Sequence, residues 1–137
     1  MAAQHNHRNR RGGLDLSDTN DLKNATRGLI AQVHTGSDKD RNDRVECLEN
    51  DPPDTMNPIL WRLSQLTRPS GLFEVVPDKI YQVRGIDPAN ITFVSGETGW
   101  IVIDCLTTTD TARDALALFQ KHVDRRPIVA IIITHSH

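Results

Sequence analysis

The feature that most constrains the fold is the apolar run Ile128–Ile133, which leads into Thr134 and then a pair of histidines, His135 and His137. An uninterrupted apolar run of this kind predicts a strand that is buried on both faces. In an extended chain, residues i and i+2 face the same side, about 6.5–7 Å apart at Cα. The two imidazole rings can therefore converge on one metal ion at the end of this strand.

The segments before this run predict how the strand is connected. Trp100–Ile103 reads as a strand, and the residues between 112 and 123 carry an apolar stripe with the period of an α-helix. Strand, helix and strand in this order predict a βαβ unit with a right-handed crossover. Upstream, Ile91–Val94 and Trp100–Ile103 flank the glycine-containing segment Ser95–Gly99, which predicts an adjacent antiparallel pair.

Three side chains are candidates for the chemistry of a site. In open α/β sheets, catalytic side chains gather at the carboxyl ends of strands, which favours His135 and His137 as metal ligands over two solvated histidines. Asp104 ends the neighbouring strand, so its carboxylate is expected beside the histidines. It would orient a ligand histidine or its loop, or else simply turn the chain at the end of the strand. His122 is instead expected to interact with a helix C-terminus and with solvent.

The N-terminal half of the chain is more polar. Met1–Gly13 lacks the apolar segment of a signal peptide, so a disordered tail is expected. The location is left open, and the absence of a signal favours the cytoplasm. Asp15–Val33 has apolar residues at helical spacing and predicts an amphipathic helix. A polar surface connection over His34–Asn57 follows. Asn57–Pro58 then predicts the N-terminus of a short helix that runs through Leu66.

Composition excludes several classes of partner. The 137 residues carry a formal net charge of -2, so no overall field attracts nucleic acid or an anionic membrane. The longest apolar run, Ile128–Ile133, is too short to cross a bilayer. Cys47 and Cys105 stand at no ligand or redox spacing, and no disulfide framework is expected. We therefore expect no nucleic-acid partner and no membrane span.

The C-terminal run Pro127–His137 resembles the beginning of the H-x-H-x-D-H motif of the metallo-β-lactamase superfamily. Within that superfamily, the form Thr-His-Ser-His is similar to the one found in the alkylsulfatase family. Further segments resemble alkylsulfatase signatures, in the same order and at compatible spacing. These segments are Ala25–Ala31, Asn57–Pro58, Leu60–Arg62, Gly71–Phe73, Ile80–Gly85, Asn90–Thr92 and Gly99–Asp104. The resemblance covers the chain from about residue 14 onward.

The resemblance implies an α/β fold, namely the N-terminal half of a metallo-β-lactamase αββα sandwich preceded by a helical arm. The implied boundaries are a disordered tail at 1–13, a helical arm and connection at 14–70, and a truncated metallo-β-lactamase-like domain at 71–137. A half-sandwich leaves one face of its sheet uncovered. The chain alone is therefore expected to be poorly soluble or only partly ordered.

The resemblance also implies a metal site of which this chain carries one part. His135 and His137 would be two of the three histidines that hold the first zinc ion, and a complete site would bind two Zn²⁺ ions. The remaining ligands and the sulfate-binding basic residues would lie beyond residue 137. Cys105 departs from the proline that alkylsulfatases usually have after the strand-ending aspartate, a change that affects the loop and no ligand.

The implied activity is zinc-dependent hydrolysis of linear alkyl sulfate esters, such as dodecyl sulfate, to alcohol and sulfate. The implied longer protein is a homodimer, and the 137-residue chain alone is expected to be inactive. Two alternatives stay open. Another hydrolase of the superfamily, such as a thioesterase, would share the histidine motif. A truncated product without catalytic function would share the whole sequence.

Overall fold

The structure is a computed structural model, which describes residues 18–33, 52 and 55–136. The described residues form two compact units, a helical one and one built around a sheet. The first contains residues 18–26, 52 and 55–68, and the second contains residues 27–33 and 69–136. The predicted tail, most of the predicted polar connection and His137 lie outside the described residues.

The helical unit contains α1 at Asn20–Ala25 and α2 at Pro58–Thr67. Asn57 caps α2, since its side-chain Oδ1 accepts a hydrogen bond from the backbone N–H of Ile59 at 2.9 Å. Proline suits the first helical position because its φ is already helical and the helix needs no N–H there. The helix predicted from Asn57–Pro58 is therefore confirmed. No helix in the described part of the chain is long and apolar enough to cross a membrane.

The helix predicted over Asp15–Val33 is wrong in its second half. Helix α1 ends at Ala25, and Leu29–Gln32 forms strand β1. Between them, Gly28 has a φ of 75°, a left-handed conformation that glycine adopts without strain and that commonly ends a helix. A Cβ at this position would lie 2.2 Å from the carbonyl oxygen of Glu74. Glycine is therefore required for the chain to pass this close to the neighbouring strand.

The second unit is a mixed sheet with a helix on one face. Within the described residues the sheet has six strands, whose order in space is their order in the chain. The elements that follow β1 are β2 at Gly71–Val76, β3 at Ile80–Arg84, β4 at Ile91–Ser95, β5 at Trp100–Ile103, α3 at Thr109–His122 and β6 at Ile128–Ile132. Neighbouring strands are antiparallel, except that β5 and β6 are parallel. The predicted antiparallel pair β4–β5 and the predicted unit β5–α3–β6 are confirmed.

Helix α3 covers one face of the sheet because its apolar stripe meets the apolar residues that alternate along the strands. Thr108 caps the helix, since its Oγ1 accepts a hydrogen bond from the backbone N–H of Thr111 at 3.2 Å. The ring of Phe119 stacks on Phe93, with centroids 4.0 Å apart, and meets Trp100 edge-on at 4.9 Å. The buried core residues are Leu72, Tyr81, Val83, Ile91, Phe93, Trp100, Val102, Ala115 and Phe119. Burying one large apolar side chain contributes about 1.5–3 kcal/mol.

Strand β6 is exposed, and the prediction that it is buried on both faces is wrong for this chain. Val129, Ile131 and Ile132 expose 49%, 60% and 51% of their surface. Ile128, by contrast, packs against the core. The cause is the position of the strand, since β6 lies at the edge of the sheet and β5 is its only neighbour among the described strands. The apolar run predicted a strand correctly, but it carried no information about what would cover that strand.

Candidate functional site

The parallel strands β5 and β6 end at the same edge of the sheet. Asp104 directly follows β5, and Thr134 and His135 come shortly after β6. The backbone N–H of Asp104 donates to the carbonyl oxygen of Ile132 at 2.9 Å, so the two strand ends are held together. We call the group formed by Asp104, Thr134 and His135 the carboxyl edge.

Asp104 turns the chain so that its carboxylate faces the segment after β6. Its φ is 53°, in the left-handed region that aspartate enters more readily than most residues. Oδ1 accepts a hydrogen bond from the backbone N–H of Thr134 at 2.9 Å, and Oδ2 accepts one from Thr134 Oγ1 at 2.7 Å. The prediction that this carboxylate comes out beside the start of the histidine segment agrees with these contacts. Whether it serves a metal ligand stays a prediction.

Thr134 connects the carboxylate to the first histidine. Its Oγ1 lies 2.8 Å from His135 Nδ1, so Asp104, Thr134 and His135 form one continuous series of contacts. Sequence reasoning missed Thr134 as a functional candidate. The signal was present as a hydroxyl residue between an apolar strand and a histidine pair, opposite an aspartate that ends the neighbouring strand.

Of the two predicted metal ligands, His135 lies within the described residues. A histidine nitrogen is a normal zinc ligand, and such a histidine usually hydrogen-bonds through its other nitrogen, as His135 does through Nδ1. His137, the second predicted ligand, lies outside the described residues. Within the described part of the chain, no three or more histidine, cysteine, aspartate or glutamate side chains are grouped to hold a metal ion. His122 lies in the last turn of α3, and Cys105 is an exposed free thiol.

Asp87, in the loop between β3 and β4, holds the loop that follows Asp104. Its Oδ2 accepts hydrogen bonds from the Thr107 N–H at 3.1 Å, Thr107 Oγ1 at 2.6 Å and Thr111 Oγ1 at 3.0 Å. Its Oδ1 accepts another from the backbone N–H of Ala89 at 3.0 Å. Burial alone would raise the pKa of Asp87, but the hydrogen bonds stabilise its charged form and lower that pKa. Sequence reasoning missed this residue because its donors lie far along the chain.

A second group of charged contacts lies at the N-terminal end of β5. Arg126 Nη1 and Nη2 donate to the carbonyl oxygen of Gly96 and to Ser95 Oγ, each at 3.1 Å. Its Nε pairs with the Asp124 carboxylate, which also accepts a hydrogen bond from Trp100 Nε1 at 3.1 Å. The hydrogen bond from Arg126 holds the pKa of Asp124 below its ordinary value. We call the group formed by Trp100, Asp124 and Arg126 the amino edge.

The C-terminal part of the chain matches a known protein family. Residues 84–137 match the family model described as Metallo-beta-lactamase superfamily. This part of the chain is similar to the metallo-beta-lactamase superfamily. The matched stretch contains β4, the βαβ unit and the carboxyl edge, so the resemblance inferred from the Thr-His-Ser-His segment is confirmed. Similarity to this superfamily implies metal binding in general.

Individual relatives narrow the comparison to alkylsulfatases. The chain is 44% identical over 132 residues to an (R)-specific secondary-alkylsulfatase of Pseudomonas sp, a match that covers 90% of this chain and 20% of that protein. It is 54% identical over 85 residues to a linear primary-alkylsulfatase of Pseudomonas sp, covering 62% of this chain and 12% of that protein. The chain therefore spans at most about a fifth of the length of these relatives.

A solved structure supports the same assignment of fold. The structure of a stereoselective inverting sec-alkylsulfatase from Pseudomonas sp. matches with a TM-score of 0.82 and 41% sequence identity. The match covers 99% of this chain and 22% of that one. The predicted α/β class and the predicted relation to the metallo-beta-lactamase sandwich are confirmed.

Proposed function

We propose that this chain is part of a zinc-dependent hydrolase that cleaves linear alkyl sulfate esters to alcohol and sulfate. The observation that carries the proposal is the extent of the similarity. The superfamily match begins at residue 84, whereas the match to the (R)-specific secondary-alkylsulfatase covers 90% of the chain. The helical unit and the first strands are thus shared with alkylsulfatases outside the superfamily-wide segment. This extent favours an alkylsulfatase over a thioesterase of the same superfamily.

In the proposed site, His135 and His137 each give a ring nitrogen to one zinc ion. The third histidine and the ligands of a second zinc ion come from beyond residue 137. A bound zinc ion would supply a Lewis acid that lowers the pKa of its water to about 7. The role of Asp104 is to hold Thr134, and through it the ring of His135, in place.

The proposed substrate is a small anionic molecule. With a net charge of -2, this part of the protein has no overall field to attract an anion, so the sulfate charge must be neutralised locally. The metal ions and basic residues beyond residue 137 would do this. The longer protein is proposed to be a homodimer and to bind no nucleic acid.

The gene offers the first test. Reading the coding sequence past the codon for His137 should show aspartate and histidine at the second and third following positions, which would complete the H-x-H-x-D-H motif. An immediate stop codon in a correctly spliced transcript would instead favour a truncated product without catalytic function.

The activity test uses the longer protein that this reading would define. We expect it to release sulfate from dodecyl sulfate and to leave thioesters intact. His135→Ala should abolish sulfate release, because a metal ligand is lost. The matched control is His122→Ala, which changes an exposed histidine at the end of α3 and should leave the rate unchanged. Thioester cleavage without sulfate release would contradict the proposal.

A further inference from the structure

Thr134 stands between a carboxylate and an imidazole but has a single hydroxyl proton. Its Oγ1 lies 2.7 Å from Asp104 Oδ2 and 2.8 Å from His135 Nδ1. An ionised carboxylate only accepts hydrogen bonds, so the hydroxyl proton points to Asp104. Toward His135 the same oxygen can then only accept. His135 Nδ1 must therefore carry a proton and donate it to Thr134.

We infer that Thr134 is a positioning residue that holds His135 in the tautomer protonated on Nδ1. In that tautomer the ring lone pair is on Nε2, the nitrogen that a metal ion binds when the other nitrogen is a hydrogen-bond donor. The inference rests on the proposed function for its purpose, which is to present Nε2 to zinc. The tautomer itself is a property of the chain and is measured without metal.

The hydrogen bond from the Thr134 backbone to Asp104 makes it possible to test which atoms donate between Asp104, Thr134 and His135. Because the backbone N–H of Thr134 donates to Oδ1 at 2.9 Å, an acceptor is required at that position. In Asp104→Asn the amide oxygen should stay opposite this N–H, which turns the amide NH₂ group toward Thr134 Oγ1. The hydroxyl proton is then available to His135 Nδ1. This variant should reverse the series and move the ring proton to Nε2.

The experiment is ¹⁵N NMR of the metal-free longer protein labelled at histidine nitrogens, recorded by magic-angle spinning so that slow tumbling does not matter. At about pH 8 ordinary imidazoles are neutral, so each ring shows one protonated and one unprotonated nitrogen. The His135 signals are identified by their loss in His135→Asn. The exposed His122 is the internal control.

We expect the wild-type chain to show His135 protonated on Nδ1 and unprotonated on Nε2. Thr134→Ser keeps the hydroxyl and should keep this pattern. Thr134→Val removes the hydroxyl at similar shape and should shift His135 toward the tautomer mixture of His122. Asp104→Asn should give a predominantly Nε2-protonated ring.

Two results would overturn the inference: a wild-type His135 that is protonated mainly on Nε2, or a Thr134→Val variant whose tautomer is unchanged. The wild-type spectrum decides the first point even if a variant does not fold. Failure of the proposed function would look different. A longer protein that binds no zinc or cleaves no alkyl sulfate, but whose His135 is protonated on Nδ1, would refute the activity and leave the tautomer in place.

Discussion

Each end of β5 has an aspartate at the centre of a hydrogen-bonded group, but the two groups include different kinds of side chain. At the amino edge, the guanidinium group bonds to the aspartate and also to the end of β4 and the loop that follows it. At the carboxyl edge, the contacts run from the aspartate through the threonine and outward to the histidine ring. The amino edge therefore stabilises the βαβ unit, whereas the carboxyl edge joins the ends of β5 and β6 and also contacts the ring of His135.

The amino edge contains a more deeply buried side chain than the carboxyl edge does. Trp100, in the amino edge, exposes 2% of its surface. Thr134 and His135 are both exposed, and contacts between exposed polar groups contribute little to stability. Substitutions at the amino edge should therefore act on the free energy of unfolding. Substitutions at the carboxyl edge should act on metal binding.

The largest expected effect is on the free energy of unfolding, and it tests whether the amino edge stabilises the βαβ unit. Trp100→Ala should lower the free energy of unfolding by about 3–5 kcal/mol, because it empties part of the core and removes the indole donor to Asp124. Chemical denaturation of the longer protein gives the value. The matched change at the other edge is Thr134→Val, which should cost about 1 kcal/mol. Equal losses of unfolding free energy in the two variants would show that the two groups do not differ in their effect on stability.

The next effect is on metal affinity in the longer protein. Asp104→Ala should weaken zinc binding about 10–100-fold, as expected for a residue that positions a ligand. Asp124→Ala, which removes the aspartate of the amino edge, should leave zinc affinity unchanged in protein that remains folded. Competition with a chelator measures both affinities. An equal loss of zinc affinity in the two variants would contradict the separate roles of the two groups.

The chain of 137 residues should itself bind zinc only loosely, because a catalytic site needs three protein ligands and the predicted ligands are two histidines. His135→Ala combined with His137→Ala should abolish this binding, and no dodecyl sulfate should be hydrolysed. Isothermal titration and a sulfate-release assay check both points. Tight stoichiometric binding would show that other residues complete a site.

Acid should destabilise the fold, because the pKa values of two aspartates are lowered in the folded state. The pKa values of Asp87 and Asp124 lie below the ordinary value of a free aspartate, so both groups stabilise the fold fully above about pH 4. That stabilisation is lost as the pH falls through their folded-state pKa values. Denaturation midpoints of the longer protein should drop in this range. Asp87→Asn and Asp124→Asn should each flatten the drop, and an unchanged acid profile in both would refute the assignment.

The smallest expected effect concerns solubility. The exposed edge strand β6 should pair between copies, giving aggregation or broad, poorly dispersed amide spectra. Ile131→Lys should raise the soluble fraction. Leu60→Lys is the matched control, because Leu60 exposes 58% of its surface and Ile131 exposes 60%, but Leu60 lies on a helix. A sharp, cooperative thermal transition of a monomeric wild-type chain would contradict the expectation.

Local signals account for what the sequence predicted correctly. The Asn57–Pro58 cap, the threonines before α3 and the glycines between β4 and β5 each act within a few residues. The apolar run before Thr134 likewise identified β6 as a strand. These signals were enough to place Asp104 beside the end of β6, because parallel neighbours end at the same edge of a sheet.

Long-range contacts account for what the sequence did not predict. Leu29–Gln32 is a strand because it pairs with β2, with Leu29 opposite Phe73. The exposure of β6 depends on its being an edge strand. Thr134 acquires its role from Asp104, thirty positions away in the chain. In each case the partner is distant in sequence, so the composition and periodicity near the residue do not predict the contact.

The connection of β6 also has a kinetic consequence. Strands β2 to β5 follow one another through short loops, whereas β6 reaches β5 only after the 14 residues of α3. Contacts between residues that are distant in the chain form late in folding, since loop closure must come first. Among these strands, β6 should dock last and open first in native-state hydrogen exchange. A metal ion bound at His135 would then slow that opening and make the last part of the sheet to form the part most sensitive to the ligand.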